Sequence, residues 1–143
     1  MSQYSEKLAQ LKKEIVAIEN ARKKKRWKPQ QKTMIDFING VTRRAEFQIN
    51  DMKMVLYPGD EKKGFKHILL KHYHPNDLTA LDIVNIYEIA RRGVKLGTEG
   101  VSNDKLHVYM FLKNGNNFRL VLKPQRSNSW VVTFYRKSYY PTN

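Results

Sequence analysis

Leu106-His107-Val108-Tyr109-Met110-Phe111-Leu112-Lys113-Asn114-Gly115-Asn116-Asn117-Phe118-Arg119-Leu120-Val121-Leu122-Lys123 is the stretch on which the fold turns. In an extended chain successive side chains point to opposite faces. Leu106, Val108, Met110 and Leu112 therefore share one face, and His107, Tyr109, Phe111 and Lys113 the other. Asn114-Gly115 is the strongest short hairpin signal, because a two-residue turn of the favoured hand needs positive φ at both positions. Beyond the turn Phe118, Leu120 and Leu122 alternate with Arg119, Val121 and Lys123. After a loop at 124–129 a third run places Trp130, Val132, Phe134 and Arg136 against Val131, Thr133, Tyr135 and Lys137. Residues 106–113, 118–123 and 130–137 thus predict an antiparallel meander. With Arg119 opposite Tyr135, one face carries Phe118, Leu120, Leu122, Val132 and Phe134 and packs on helices. The other face gathers Arg119, Val121, Thr133 and Tyr135, with Lys123 and Lys137 at its flanks.

Working back from the meander, residues 97–104 are polar and glycine-containing and read as a loop. Residues 76–93 read as one long helix. Thr79 with Asp82 has capping-box spacing, Asp77 is a second possible cap, and Arg91-Arg92-Gly93 is a stop. Leu78, Leu81, Val84, Ile86, Ile89 and Ala90 give that helix a wide apolar stripe. A shorter helix at 63–73 carries Gly64-Phe65-Lys66-His67-Ile68-Leu69-Leu70-Lys71-His72. Helical spacing puts Phe65, Leu69 and His72 on one face and Lys63, His67 and Lys71 on nearly the opposite one. His72 is then either a core histidine or a second proton carrier. His67 lies among cations, where burial does not explain it. His74 precedes Pro75 and has left the helix.

Residues 41–57 contain two strand-like pieces, around Phe47–Ile49 and Met52–Leu56, with a helical reading still open; Pro58-Gly59-Asp60 is turn chemistry. A helix over residues 30–39 is followed by Gly40, where a left-handed residue is wanted. The first helix carries Leu8, Leu11, Ile15 and Ile18 at helical spacing, with Ser5 as its N-cap. Residues 1–32 hold ten Lys or Arg against three Glu. The run Arg22-Lys23-Lys24-Lys25-Arg26-Trp27-Lys28 is either a solvated helix end or a phosphate-contacting arm, with Trp27 free to stack on a base. Lys28 precedes Pro29 and is biased out of helix. The chain divides into a basic helical segment, 1–40, and a domain, 41–143.

The 143-residue chain carries a net charge of +14 and a pI near 10.0. That field attracts polyanions, so nucleic acid leads as a partner, with an acidic protein or an anionic membrane surface behind it. With no cysteine, a disulfide framework and thiolate chemistry are excluded. No apolar run approaches the ~20 residues a membrane span needs, and no secretory signal opens the chain. The acidic residues are scattered, without the carboxylate cluster of a two-metal nuclease. His67 and His72 are five residues apart, off the spacing that two helical zinc ligands prefer. His72 and His74 could join a metal site only with ligands from elsewhere. Histidine proton transfer with cationic phosphate stabilisation, the chemistry of RNA cleavage without a cofactor or metal, fits these residue types better.

Gly-Phe-Lys-His-Ile followed by Lys-His, a long helix, then Asn-Gly-Asn-Asn-Phe-Arg-Leu-Val-Leu and Trp-Val-Val-Thr-Phe-Tyr-Arg-Lys resemble the barnase/EndoU/colicin D/RelE-like (BECR) superfamily of ribonuclease toxins, in its polymorphic-toxin or phage-associated branches. The resemblance covers residues 64–137. It implies an α+β fold, helices packed on a twisted antiparallel sheet, and cleavage of RNA, often tRNA, to a 2′,3′-cyclic phosphate. It places the helix histidine at His67 and the polar sheet residues at Arg119, Thr133 and Tyr135; His72 joins these catalytic candidates as a second proton carrier, or else is a core residue. Lys66, Lys71, Lys123, Lys137, Arg26 and Trp27 are the expected RNA contacts. The same likeness implies action in the cytoplasm of a target cell, delivery as part of a secreted or phage-encoded protein, and an acidic immunity or antitoxin partner. The rival expectation is a non-catalytic basic nucleic-acid-binding module. A third is a structural protein whose basic helix docks an acidic partner.

Overall fold

The computed structural model describes residues 2–22, 26–99, 105–113, 115–126 and 128–137. In chain order these form α1 (Gln3–Arg22), α2 (Pro29–Ile38), β1 (Ala45–Ile49), β2 (Met52–Leu56), α3 (Phe65–His72), α4 (Ala80–Val84), α5 (Ile86–Arg92), β3 (Val94–Glu99), β4 (Leu106–Lys113), β5 (Asn116–Gln125) and β6 (Asn128–Lys137). The fold class is α+β, as expected. One six-stranded sheet runs β1-β2-β6-β5-β4-β3. Every neighbouring pair is antiparallel except β2 and β6, which run parallel over three residue pairs.

The meander forms where the alternation put it. Lys113 pairs with Asn116, so the hairpin closes over residues 114 and 115; Gly115 has φ +79°, and Asn114 lies outside the described residues. Arg119 stands opposite Tyr135 and Val121 opposite Thr133, the expected register. The register then shifts, and Leu122 pairs with Val131 instead of Val132. This bulge reverses the alternation of β6. Val131 is buried with the core and Val132 is not, which corrects the expected core face. The loop expected at 124–129 is mostly strand, since Pro124 pairs with Ser129 and Gln125 with Asn128.

Four further expectations are corrected. The helix expected over 76–93 is broken at Asn85 (φ −92°, ψ 17°) into α4 and α5. Leu81, expected in its apolar stripe, is exposed. The capping box at its start is present: the Asp82 N–H donates to Thr79 Oγ1, and the Thr79 N–H donates to Asp82 Oδ2. Residues 97–99, expected as loop, belong to the edge strand β3, which is paired to β4 with an irregularity between Lys95 and Gly97; residues 100–104 lie outside the described residues. The N-cap of α1 is Ser2, whose hydroxyl accepts the Ser5 N–H at 3.1 Å. Lys28 is extended (φ −66°, ψ 157°), as its position before Pro29 requires.

The basic N-terminal helix shares the core of the sheet domain. Leu11 and Ile15 of α1 belong to the same buried cluster as Met34, Ile38, Phe65, Leu69, Leu120 and Phe134. Each such side chain is worth about 1.5–3 kcal/mol when fully buried. Lys7 adds a polar tie: its ammonium donates to Leu70 O at 3.2 Å and Tyr73 O at 3.0 Å, carbonyls the α3 C-terminus would otherwise leave unpaired. Burial lowers the Lys7 pKa. Among the described residues no helix is long and apolar enough to cross a membrane.

Candidate active site

The site is built where α3 covers an open strand edge. β2 pairs with β6 only over residues 128–130, which leaves 131–137 without a strand neighbour on that side. An exposed edge of unpaired backbone groups is unfavourable unless something covers it. Here the Gly64 N–H donates to Val132 O at 2.8 Å. Farther along, the Arg136 N–H donates to Asp77 Oδ1 at 2.7 Å. The segment from Gly64 to Asp77 thus lies along the edge of β6. Phe65, Ile68 and Leu69 of α3 enter the core, while its histidines reach Thr133 and Tyr135 on the sheet's other face.

Gly64 makes the approach possible. It has φ +88°, and a Cβ there would meet Tyr57 O and Gly59 Cα, both at 3.0 Å. Residues 58–63 before it are folded by Asp60, whose carboxylate accepts the N–H groups of Lys62 and Lys63 at 2.9 and 3.1 Å. These two bonds, Lys62 first, hold the Asp60 pKa below its ordinary value, together with the nearby lysine charges.

His67 Nδ1 lies 2.9 Å from Glu61 O, and its Nε2 lies 3.0 Å from Thr133 Oγ1. A carbonyl oxygen can only accept, so Nδ1 carries the hydrogen. In the neutral ring Nε2 then accepts from the Thr133 hydroxyl; in the imidazolium it donates. His72 Nδ1 lies 2.8 Å from Asp77 Oδ2. The carboxylate fixes the same tautomer there and leaves the His72 Nε2 lone pair available. The two imidazoles meet edge to face with centroids 5.4 Å apart. His72 also stacks on Tyr135 at 5.2 Å and 26°.

Helical spacing put the two histidines on separate faces, and this is corrected: the side chains converge, His67 from the first turn of a short helix and His72 from its last residue. His72 is not a core histidine but a half-buried one, paired to Asp77. Arg119 stands next to Tyr135 across the β5–β6 ladder, and its Nη1 donates to Asn117 Oδ1. The five residues expected to be catalytic, His67, His72, Arg119, Thr133 and Tyr135, therefore lie around one stretch of β6.

The expected RNA contacts are more dispersed. Lys71 is exposed on α3 and Lys137 at the end of β6. Lys123 stands opposite Trp130 in the register. Lys66 places its ammonium 5.6 Å from the Tyr4 ring on α1. Trp27 is not a free stacking surface: its Nε1 donates to Glu19 at 2.8 Å, and the Arg22 guanidinium lies 4.3 Å over its ring. Arg26 is exposed in a separate cleft with Arg22, Lys28 and Arg92; residues 23–25 lie outside the described residues. Sequence reading missed Asp77, which it took for a helix cap. Nothing periodic marks a carboxylate that leaves the local chain to join a histidine and a distant strand. His74 comes within 3.8 Å of the same carboxylate.

No family model matches this chain, and no curated protein or solved structure matches it.

Proposed function

We propose that the protein is an endoribonuclease that cleaves RNA by attack of the ribose 2′-hydroxyl on the adjacent phosphate, without a metal ion. The observation that carries this reading is the pair of imidazoles 5.4 Å apart beside Thr133, Tyr135 and Arg119. His72, oriented by Asp77, takes the 2′-hydroxyl proton on Nε2. The 2′-oxygen–phosphorus bond forms and the bond from phosphorus to the 5′-oxygen breaks. The His67 imidazolium delivers a proton from Nε2 to that leaving oxygen. The products are a 2′,3′-cyclic phosphate and a 5′-hydroxyl. Arg119 holds the phosphate charge through its guanidinium fork, and Thr133 and Tyr135 hydrogen-bond the phosphate or ribose.

The +14 net charge suits an RNA substrate, with tRNA as the first class to try, and it suits an acidic inhibitor that covers the same face. On this reading the protein is a toxin that stops growth of a target cell and is held in check by that inhibitor. The direct test incubates the protein with total tRNA and rRNA in excess EDTA beside His67→Ala. Discrete fragments from the native protein alone are expected; equal cleavage by His67→Ala overturns the assignment.

A second reading, a non-catalytic nucleic-acid-binding module, is favoured by the cleft of about 680 Å³ that Arg22, Arg26, Lys28 and Arg92 line. It expects intact RNA, a mobility shift on a native gel, and binding that weakens when those cations are neutralised.

A further inference from the structure

The face of the sheet that carries Thr133 and Tyr135 has an apolar floor of its own. Val55, Val108 and Val121 are buried, yet none of them belongs to the main core cluster. In the register Val108 stands opposite Val121, Val121 opposite Thr133, and Val55 opposite Trp130. Trp130 is 36% exposed. Unbroken alternation would place it in phase with Phe134, on the core face. The bulge that sends Val131 into the core turns Trp130 out to the side of Thr133 and Tyr135.

The indole is held in place. The Tyr57 ring meets it at 5.2 Å and 68°, an edge-to-face contact. Tyr57 is tied in turn to the catalytic helix, since its carbonyl accepts the Phe65 N–H at 3.0 Å. Lys123 stands across from Trp130 on β5. Trp130 lies three residues along β6 from Thr133, roughly 10 Å at strand spacing. At the other end of the site the Tyr135 ring already stacks on His72. Trp27, the other tryptophan, is covered by Arg22. Among the described residues Trp130 is therefore an exposed aromatic surface on the same face of β6 as Thr133 and Tyr135, open to a base.

We propose that Trp130 is the stacking platform for an unpaired base of single-stranded RNA, next to the phosphate held at His67 and Thr133; the inference rests on the ribonuclease reading for the place of that phosphate. Stacking on an aromatic ring is open to every base, so the platform selects single strands over duplex rather than one sequence. The ordered Tyr57–Trp130 pair means little side-chain freedom is lost on binding.

The test uses a His67→Ala background, so that RNA is bound and not cleaved, and follows tryptophan fluorescence as a single-stranded RNA oligonucleotide is added. Quenching is expected, and it should vanish in Trp130→Phe, which keeps a stacking ring and an affinity within about threefold. Trp130→Ala should lose affinity on the order of tenfold or more, the scale of one stacked base. A duplex RNA of the same length should quench far less. RNA binding with unchanged affinity in Trp130→Ala overturns the platform, while cleavage by the native protein would still stand. Quenching and lost affinity with no cleavage by the native protein would sustain the platform and remove the nuclease reading. Circular dichroism melting of Trp130→Phe and Trp130→Ala separates lost stacking from lost folding.

Discussion

His67 Nε2 and Thr133 Oγ1 lie 3.0 Å apart across 66 residues of chain. Through this bond α3 and the outer face of β6 become one site. The neutral imidazole accepts from the hydroxyl because Glu61 O holds the ring hydrogen on Nδ1. Thr133→Val keeps the shape of the side chain and removes the hydroxyl that pairs with Nε2 in either protonation state. Cleavage in a fluorescent RNA assay should fall about tenfold, since one hydrogen bond to a positioned group is worth roughly 1–1.5 kcal/mol. His67→Ala should fall on the order of a hundredfold to ten-thousandfold, the contribution of one general acid or base. Unaltered rates in both variants would remove the pair from the mechanism.

The Asp77 carboxylate serves two masters, His72 Nδ1 at 2.8 Å and the Arg136 N–H at 2.7 Å. The substitutions Asp77→Asn and Asp77→Ala separate the two. Asparagine can still accept from Arg136, but it can no longer hold the His72 tautomer through a carboxylate. Its melting temperature should stay close to the parent while cleavage drops roughly a hundredfold or more. Alanine also orphans a strand-edge N–H, at about 1–3 kcal/mol of stability by denaturant unfolding. Equal stability of the two variants would mean that the Arg136 bond is not structural.

Gly64→Ala should damage fold and activity together. The residue sits at φ +88° with the backbone of Tyr57 and Gly59 3.0 Å from any Cβ. A strained left-handed residue costs of order 1–3 kcal/mol. Relief of that strain would pull the Gly64 N–H from Val132 O and carry His67 away from Thr133. Chemical denaturation and the RNA assay should report parallel losses.

Acid should loosen the loop before α3. The Asp60 pKa is depressed by the N–H groups of Lys62 and Lys63. A carboxylate depressed in the folded state adds stability that is fully present above its unfolded value, near 4 for aspartate, and is lost as the pH falls through the lower folded value. Asp60→Asn should flatten this acid limb in a melting-temperature series. An identical limb in both proteins would assign the acid sensitivity elsewhere.

Lys7→Met should lower stability by about 1 kcal/mol with little change in cleavage, because it removes the ammonium from Leu70 O and Tyr73 O and leaves the histidines alone. The same loss of stability is not expected for Lys12 or Lys13, which are exposed on α1.

Much of the sheet was legible in the sequence. Residues 106–113, 118–123 and 130–137 gave their strands through alternation, and the Arg119–Tyr135 register followed from matching the faces. The Thr79–Asp82 cap and the extended Lys28 were legible for the same reason: each is a short-range rule about neighbouring residues. β3 was missed because Gly97 and Thr98 carry no apolar alternation; their pairing comes from β4. The break at Asn85 was missed because the apolar stripe runs through it unbroken.

Local pattern therefore determined the α+β class, the strands of the meander and the polar face of Arg119, Thr133 and Tyr135. The tertiary structure decided how those residues meet. A half-paired strand, β6, had to have its open edge covered, and the segment 64–77 covers it. That requirement brings His67 to Thr133, His72 to Tyr135 and Asp77 to both a histidine and a strand. The bulge at Val132 likewise turns Trp130 outward. Hydrogen-bond satisfaction at a sheet edge and a one-residue change of register are properties of paired chains, and no window of sequence contains both partners.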